Sequence, residues 1–469
     1  MDKKTRDILL GPVAFILVAW ALNGLFSFKA AVAVALTVWM GLWWILRPVD
    51  IAVTSFLPIA VNALFDLVPA NQIISQYFSE IVVLLVGSDL VSMTWTNTGL
   101  DRRLAVKALC FIGPNVKQQV VVWLVAATLL STVLPNVVVA MIMLPIASAM
   151  LRYTGLDEGL TTKLAVPIFL AIAFGSGVGG FGSPIGSSAN LTAVAYLEKI
   201  TGHEFMYIDW MGRFIPFLLI TLLLNLVWLV GIRTPIQRLS DTKEYFDRLN
   251  DELGVMKKGE WIGLVLFTVA TVAAFARPLF AEYLPALRPA YVFFCCGMLC
   301  FVLKDEKGEV MLQWRQAEKE LMWGMFFLFA GGLALGRMVT QTGAAQQLAA
   351  MITRLSLDGG IGTMGIFVAF TTFLAEISSN TASASISIPV VQSIAEQLGL
   401  NPIPYVLITI VAFNCAYILP VSTRAIPVSY GLDPGDLFKY GLGLSLANIV
   451  VTTVVGNLVI NYLPIFYKI

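Results

Sequence analysis

The stretch "EISSNTASAS" (Glu376–Ser385) sets a carboxylate, an amide and a run of small hydroxyls between the apolar segments "IGTMGIFVAFTTFLA" (361–375) and "ISIPVVQSIA" (386–395). Polar groups carried into hydrocarbon give up their hydrogen bonds to water, so such a placement needs a compensating use. Non-helical backbone at membrane depth is tolerated only where it is buried in protein or lines a wet cavity. The stretch therefore reads as the tip of a re-entrant helical hairpin over about 360–397. A second apolar run, about 118–151, is interrupted in the same way at "LPN" (Leu134–Asn136) and reads as a second hairpin.

The composition agrees with a bilayer environment. Of 469 residues, 58% are hydrophobic and only 13% charged, and the mean hydropathy is +0.83. Soluble domains carry about twice that charge. Apolar runs recur at about 7–27, 30–46, 51–68, 77–99, 164–200, 209–231, 259–279, 288–303, 321–342, 402–430 and 438–463, each long enough to cross hydrocarbon when straight or tilted. The expected fold is an all-α polytopic membrane protein with about eleven transmembrane helices plus the two hairpins. The first run follows "MDKKTR" without a small-residue cleavage site, so it reads as a span, not a leader. With the N-terminus in the cytoplasm, Arg102, Arg103, Lys107, Lys257, Lys258 and Lys304 fall on the cytoplasmic side, as the positive-inside rule asks. This bias holds only if the hairpins do not cross. It places the C-terminus outside, in a multi-pass protein of the cytoplasmic membrane.

Several function classes are disfavoured. A net charge of +1 offers no footprint for nucleic acid. The single histidine, His203, lies in a predicted loop and the five cysteines have no paired spacing. A histidine-based metal site, a Cys–His nucleophile and hence an intramembrane enzyme all lack their parts. An anion channel would show a polar stripe along several spans; here the polar residues bunch at mid-depth.

The two halves of the chain also align. "LLVGSDLVSMTWTNTGLDRRLA" (84–105) matches "LFAGGLALGRMVTQTGAAQQLA" (328–349), placing Gly87 on Gly331 at an offset of 244. The same offset places Asn136 on Asn380 and Pro145 on Pro389. "GSPIGSSANL" (182–191) then matches "LPVSTRAIP" (419–427) through Pro184 on Pro420 and Ser187 on Thr423. Because the hairpins enter from opposite sides, the repeats are expected to be inverted, with hairpin tips and broken helices meeting near the midplane, as in secondary transporters. The expected division is 1–70 (N-terminal scaffold helices), 71–232 (first repeat, broken helix 164–200), 233–258 (cytoplasmic amphipathic connector), 259–310 (scaffold helices) and 311–469 (second repeat, broken helix 402–430). Helix N-termini at the second arm of each hairpin carry partial positive charge and free N–H groups, which suits a carboxylate.

Asn136, "SPIGSSAN" (183–190), Ser379–Thr381 and "LPVST" (419–423), in this order along nearly the whole chain, resemble the divalent anion/Na+ symporter (DASS) family of di- and tricarboxylate carriers. The resemblance implies a homodimer, elevator-type alternating access and substrates such as succinate, malate, 2-oxoglutarate or citrate. It implies substrate contacts at Pro135, Asn136, Val137, Gly186, Ser187, Ser379, Asn380, Thr381, Ser422 and Thr423. A first sodium site would use Ser131, Asn136 and Gly186. The chain departs from the family pattern at Pro135-Asn136-Val137, where hydroxyls flank the asparagine in relatives, and at Arg424, where a cation replaces part of an amide-bearing run. Arg424 is therefore expected beside the substrate, taking the place of a coupling cation, with Glu376 as its partner in the empty site. A purely structural Arg424–Glu376 bridge is the rival reading. A protein that carries its own cation favours exchange of anions over sodium symport, with symport as the alternative. Asp89 and Arg337, both within spans, are expected to form a structural or gating pair, with proton coupling through Asp89 or Glu376 as the lesser option.

Overall fold

Backbone groups in hydrocarbon must be satisfied within their own segment, which drives apolar runs into helices. In this computed structural model the described residues are 2–109, 111–154, 158–239, 242–344, 346–347 and 358–467. Among them there is no strand, only helices and three isolated bridges. Eight helices are long and apolar enough to cross a membrane, and six further apolar helical stretches are shorter. The chain is an all-helical, multi-pass membrane protein.

The helices run in order as α1 (Lys3–Leu22), α2 (Phe28–Leu46), α3 (Ile51–Ser55), α4 (Leu57–Phe65), α5 (Ala70–Ile74), α6 (Glu80–Thr98) and α7 (Leu100–Leu109). The first hairpin is α8 (Val116–Ser131) and α9 (Asn136–Tyr153), followed by α10 (Glu158–Gly180) and α11 (Ser188–Thr201) with a break at 181–187. Then come α12 (Tyr207–Val230), α13 (Thr242–Leu253), α14 (Lys258–Phe275), α15 (Arg277–Phe280), α16 (Pro289–Leu299), α17 (Trp314–Glu320) and α18 (Trp323–Gln341). The second hairpin is α19 (Ile361–Ile377) and α20 (Asn380–Gln397), followed by α21 (Pro402–Asn414), α22 (Ala425–Ser429) and α23 (Pro434–Tyr462). Residues 164–200 and 402–430 each hold two helices with a break between them.

The sequence offset reappears in the helix bounds. Displacing α9 (Asn136–Tyr153) by 244 residues gives α20 (Asn380–Gln397), with Pro145 and Pro389 at matching interior positions. Each hairpin packs on the broken helix that follows it: α8 and α9 on α10, α19 and α20 on α21. The halves meet where α11 packs against α20 and α21. The Thr161–Gly180 stretch is 83% buried, whereas Lys4–Leu22 is 17% buried, so α10 is central and α1 faces outward. Gly87 and Gly331, the aligned glycines, both sit at close crossings: a Cβ on Gly87 would lie 2.4 Å from Phe294 N, and one on Gly331 2.5 Å from Ser55 O.

Among its described residues, the expected connector 233–258 is helical at Thr242–Leu253, and α14 begins at Lys258. Residues before Thr242 pair in extended form with 114–116, through Val116 N–H to Gln237 O (3.0 Å) and Leu239 N–H to Pro114 O (2.7 Å). Those bonds use backbone groups that a longer helix would need. Arg103 pins the end of this connector, bonding Glu260 at 2.6 Å and the carbonyls of Leu253 and Gly254. At the α11 end, Arg288 joins Glu80 (2.5 Å) to Glu198 (2.7 Å), and Arg277 binds Glu204 (3.0 Å).

Overpacking a tight crossing costs roughly 1–3 kcal/mol. Gly87→Val should therefore lower the thermal midpoint of the detergent-solubilised protein. Gly362→Ala, where an added Cβ meets nothing within 4 Å, should leave it unchanged or slightly raised.

Candidate functional site

The two hairpin tips come together. Asn136 and Val137, the first residues of α9, face Ser379, Asn380 and Thr381 at the start of α20 across a cavity of about 140 Å3. Ser187 and Ser188 from the first break, Trp44, Arg47 and Ile51 near the end of α2, and Met325 and Leu328 of α18 complete the lining. The volume falls below the roughly 300–1,000 Å3 usual for drug-sized ligands, which suits a small metabolite. A larger cleft of about 540 Å3 lies at the α11 end, among Glu80, Glu198, Glu204 and Arg288. Its glutamates are taken by Arg288 and Arg277 in the ion pairs above, Lys199 and His203 also line it, and neither hairpin tip reaches it.

The cavity walls are tied together across the two halves. Ser188 Oγ and Thr381 Oγ1 are 3.1 Å apart, and Ser188 also bonds Met325 Sδ at 3.2 Å. Beneath the tips runs an amide chain: Asn380 Nδ2 approaches Asn414 Oδ1 at 3.5 Å, Asn414 Nδ2 donates to Asn190 Oδ1 at 2.9 Å, and Asn190 Nδ2 donates to Gly180 O and Ser183 O, both 2.8 Å. Ser379 caps α20 by accepting from Ala382 N–H at 3.2 Å. Pro135 gives α9 no side-chain cap, but Asn136 Oδ1 accepts from Val137 N–H at 2.8 Å and Pro135 O from Val139 N–H at 3.1 Å.

Behind the first tip the main chain forms a cradle of oxygens. Asn136 N–H bonds Gly186 O at 3.3 Å. A Cβ on Gly186 would sit 2.5 Å from Ser131 O and 2.7 Å from Gly180 O. Only glycine lets the main chain pass this close to Ser131 O and Gly180 O, and hard carbonyl oxygens gathered there suit a small hard cation such as Na+. The Ser131 hydroxyl donates to Ser176 O at 2.7 Å, which leaves its lone pairs directed elsewhere.

Behind the second tip the corresponding oxygens are occupied. Arg424 donates from Nε to Leu419 O (2.8 Å), from Nη1 to Ala416 O (2.9 Å) and from Nη2 to Ala375 O (2.9 Å). Glu376 lies 3.7 Å from its Nη2 and accepts from Tyr417 N–H, Ile418 N–H and Ser445 Oγ. The expectation that Arg424 stands beside the substrate is corrected here. Its guanidinium is buried, paired and turned toward backbone carbonyls, and it does not line the cavity. Broken-helix carbonyls at this depth have no water to bind, so they draw the fork inward.

The other expected residues divide. Pro135 and Gly186 shape the first tip from behind the lining; Thr423 is buried with a hydroxyl that has no partner among the described residues. The side chain of Ser422 lies outside the described residues. Asp89 and Arg337 do not pair. Asp89 accepts from Met322 N–H at 3.1 Å, at the start of α18, while Arg337 bonds Gln72 Oε1 at 3.2 Å. Fifteen residues of chain between Met322 and Arg337 amount to roughly 22 Å of helix. Trp44, Arg47, Ile51, Ser188, Met325 and Leu328 were not expected in the lining.

The sequence matches the citrate transporter family, CitMHS, over residues 41–412 and again over 296–467. The chain belongs to that family. It is a membrane transporter, not an enzyme. Among curated proteins it is similar to the sodium-dependent dicarboxylate transporter SdcS of Staphylococcus aureus (strain MSSA476), at 28% identity over 441 residues, 90% of this chain and 84% of that protein. It is also similar to SdcS of Staphylococcus saprophyticus subsp. saprophyticus, at 26% identity over 468 residues, 96% of this chain and 90% of that protein. Among solved structures, the YdaH transporter of Alcanivorax borkumensis matches with a TM-score of 0.58 at 15% identity, covering 92% of this chain and 99% of that one. That likeness concerns the fold.

Removing one partner of a buried ion pair costs about 3–5 kcal/mol. Arg424→Ala should lower the thermal midpoint sharply. Arg424→Lys should recover little of it, because a single ammonium cannot reach three carbonyls held in a guanidinium fork. Thermal unfolding in detergent reads both.

Proposed function

We propose that this transporter carries small di- or tricarboxylates of the succinate, malate, 2-oxoglutarate or citrate type, coupled to inward movement of Na+. The observation that carries the reading is the meeting of two helix N-termini, at Asn136 and Asn380, on one small cavity with hydroxyls and amides. Two positive helix ends facing each other suit a solute with a carboxylate at either end. The family description, citrate transporter, and the names of the SdcS relatives support the same substrate class.

Sodium coupling is favoured over the sodium-independent exchange expected from the sequence. The relatives are named as sodium-dependent, and the Gly186 cradle with Ser131 and Asn136 suits one Na+, moved as co-substrate. Arg424, neutralised by Glu376 and facing away from the cavity, offers the solute no free charge. Exchange remains the second reading on one observation: the guanidinium fills the carbonyls behind the second tip, where the repeat would otherwise offer a second cation position.

In the full proposal α8–α9 and α19–α20 are re-entrant hairpins of two inverted repeats, within about eleven spans. They move with their broken helices, 164–200 and 402–430, as one body against scaffold helices at 1–70 and 259–310. The segment 233–258 lies at the cytoplasmic surface, the N-terminus inside and the C-terminus outside, in a homodimer. Uptake of labelled succinate into proteoliposomes tests the coupling. Uptake should be driven by an inward Na+ gradient, fail in choline, and need no internal dicarboxylate. Uptake that ignores Na+ and requires internal dicarboxylate would instead establish exchange. Gly186→Ala, which fills the cradle, should raise the Na+ concentration for half-maximal uptake at least about tenfold, a loss of roughly 1.4 kcal/mol.

A further inference from the structure

The cavity has a wall that the hairpins do not supply. Arg47 and Ile51 line it, and the same two residues line a wider cleft of about 740 Å3 beside Asp2, Lys4, Asp7 and Asp50. A solute moving between cleft and cavity passes this pair. Arg47 is exposed, and its guanidinium has no hydrogen bond or ion pair among the described residues. Of the three acids nearby, Asp7 pairs with Arg6 at 2.9 Å and Asp50 caps α3, accepting from Ala52 N–H at 2.8 Å, while the Asp2 side chain makes no cap bond to α1. Lys4 adds a second positive group to the outer cleft. Arg47 also adopts φ 48 and ψ 46, the left-handed region, directly before Pro48. Helices ordinarily end that way on glycine, so a large cation here is a departure located at the mouth of the site.

We infer that Arg47 is the charge-selecting residue at this mouth, recognising a carboxylate through its forked N–H donors. The inference rests on the reading of the cavity as a carboxylate site and deepens it. Arg47 directly follows the last residue of α2, outside both hairpins and both broken helices. Its contact with solute therefore belongs to the state in which the cavity opens toward the N-terminal end, and the opposite state lacks it. That one-sidedness separates it from binding residues carried on the hairpin tips.

Right-side-out and everted membrane vesicles separate the two sides. Arg47→Gln should raise the half-saturating succinate concentration about tenfold or more from the N-terminal side, in line with loss of a charged hydrogen bond, and less than about twofold from the other. Arg47→Lys should recover part of the loss. In a Cys295→Ser background, which removes the exposed thiol among the described cysteines, Arg47→Cys labelled with a trimethylammonium methanethiosulfonate should regain affinity, and a sulfonate reagent should weaken it further. Equal effects from both sides, or indifference to the sign of the adduct, would overturn the inference. Calorimetry of succinate with the detergent-solubilised carrier keeps the two readings apart. If the unsubstituted carrier binds none, the carboxylate site itself is wrong and this inference falls with it. If it binds and Arg47→Gln binds equally well, only the role of Arg47 is wrong.

Discussion

Helix ends inside a bilayer must find partners, and in this chain they find one another. Breaks at 132–135, 181–187, 378–379 and 415–424 free N–H and C=O groups at positions where water is scarce. The freed groups are turned inward, onto amides, hydroxyls and one guanidinium. Isolated, each break would be costly. Gathered, they make a polar interior in an otherwise apolar protein, and the cavity at the hairpin tips is the part of that interior left open.

The two halves solve the same problem with different chemistry. Behind the first tip, Gly186 keeps Ser131 O and Gly180 O apart from any side chain. Behind the second, Arg424 binds three carbonyls and is neutralised by Glu376, which in turn collects the N–H groups of Tyr417 and Ile418. A buried cation on one side and bare main-chain oxygens on the other make the surroundings of the two tips chemically unlike. The buried pair contributes mainly by leaving no broken-helix carbonyl unpaired, because the net value of such pairs against apolar packing is often near zero.

Much of this was legible in the sequence where a repeat or a period carried it. The 244-residue offset identified Asn136 and Asn380 as equivalent before any geometry, and both begin the second arm of a hairpin facing one cavity. Arg424 was legible as a residue with a purpose but not as a direction, since nothing in "PVSTR" says whether the fork faces solute or backbone. The Asp89–Arg337 pairing failed because two spans can be neighbours while residues on them lie at different depths. Trp44, Arg47 and Ile51 were missed because they lie outside the repeats, and a lone arginine after an apolar run reads as an ordinary positive-inside residue. That the connector is helical over only part of its length was not legible, because extended pairing with 114–116 is a long-range choice that local propensity does not encode.

The account depends most on the two tips enclosing a carboxylate between them. Asn136→Cys and Asn380→Cys, introduced singly and exposed to a small maleimide with and without succinate, test this directly. Both thiols should be modified slowly, and succinate in the presence of Na+ should slow both, since one solute would shield both. Protection of neither position, or of one alone, would contradict a shared site.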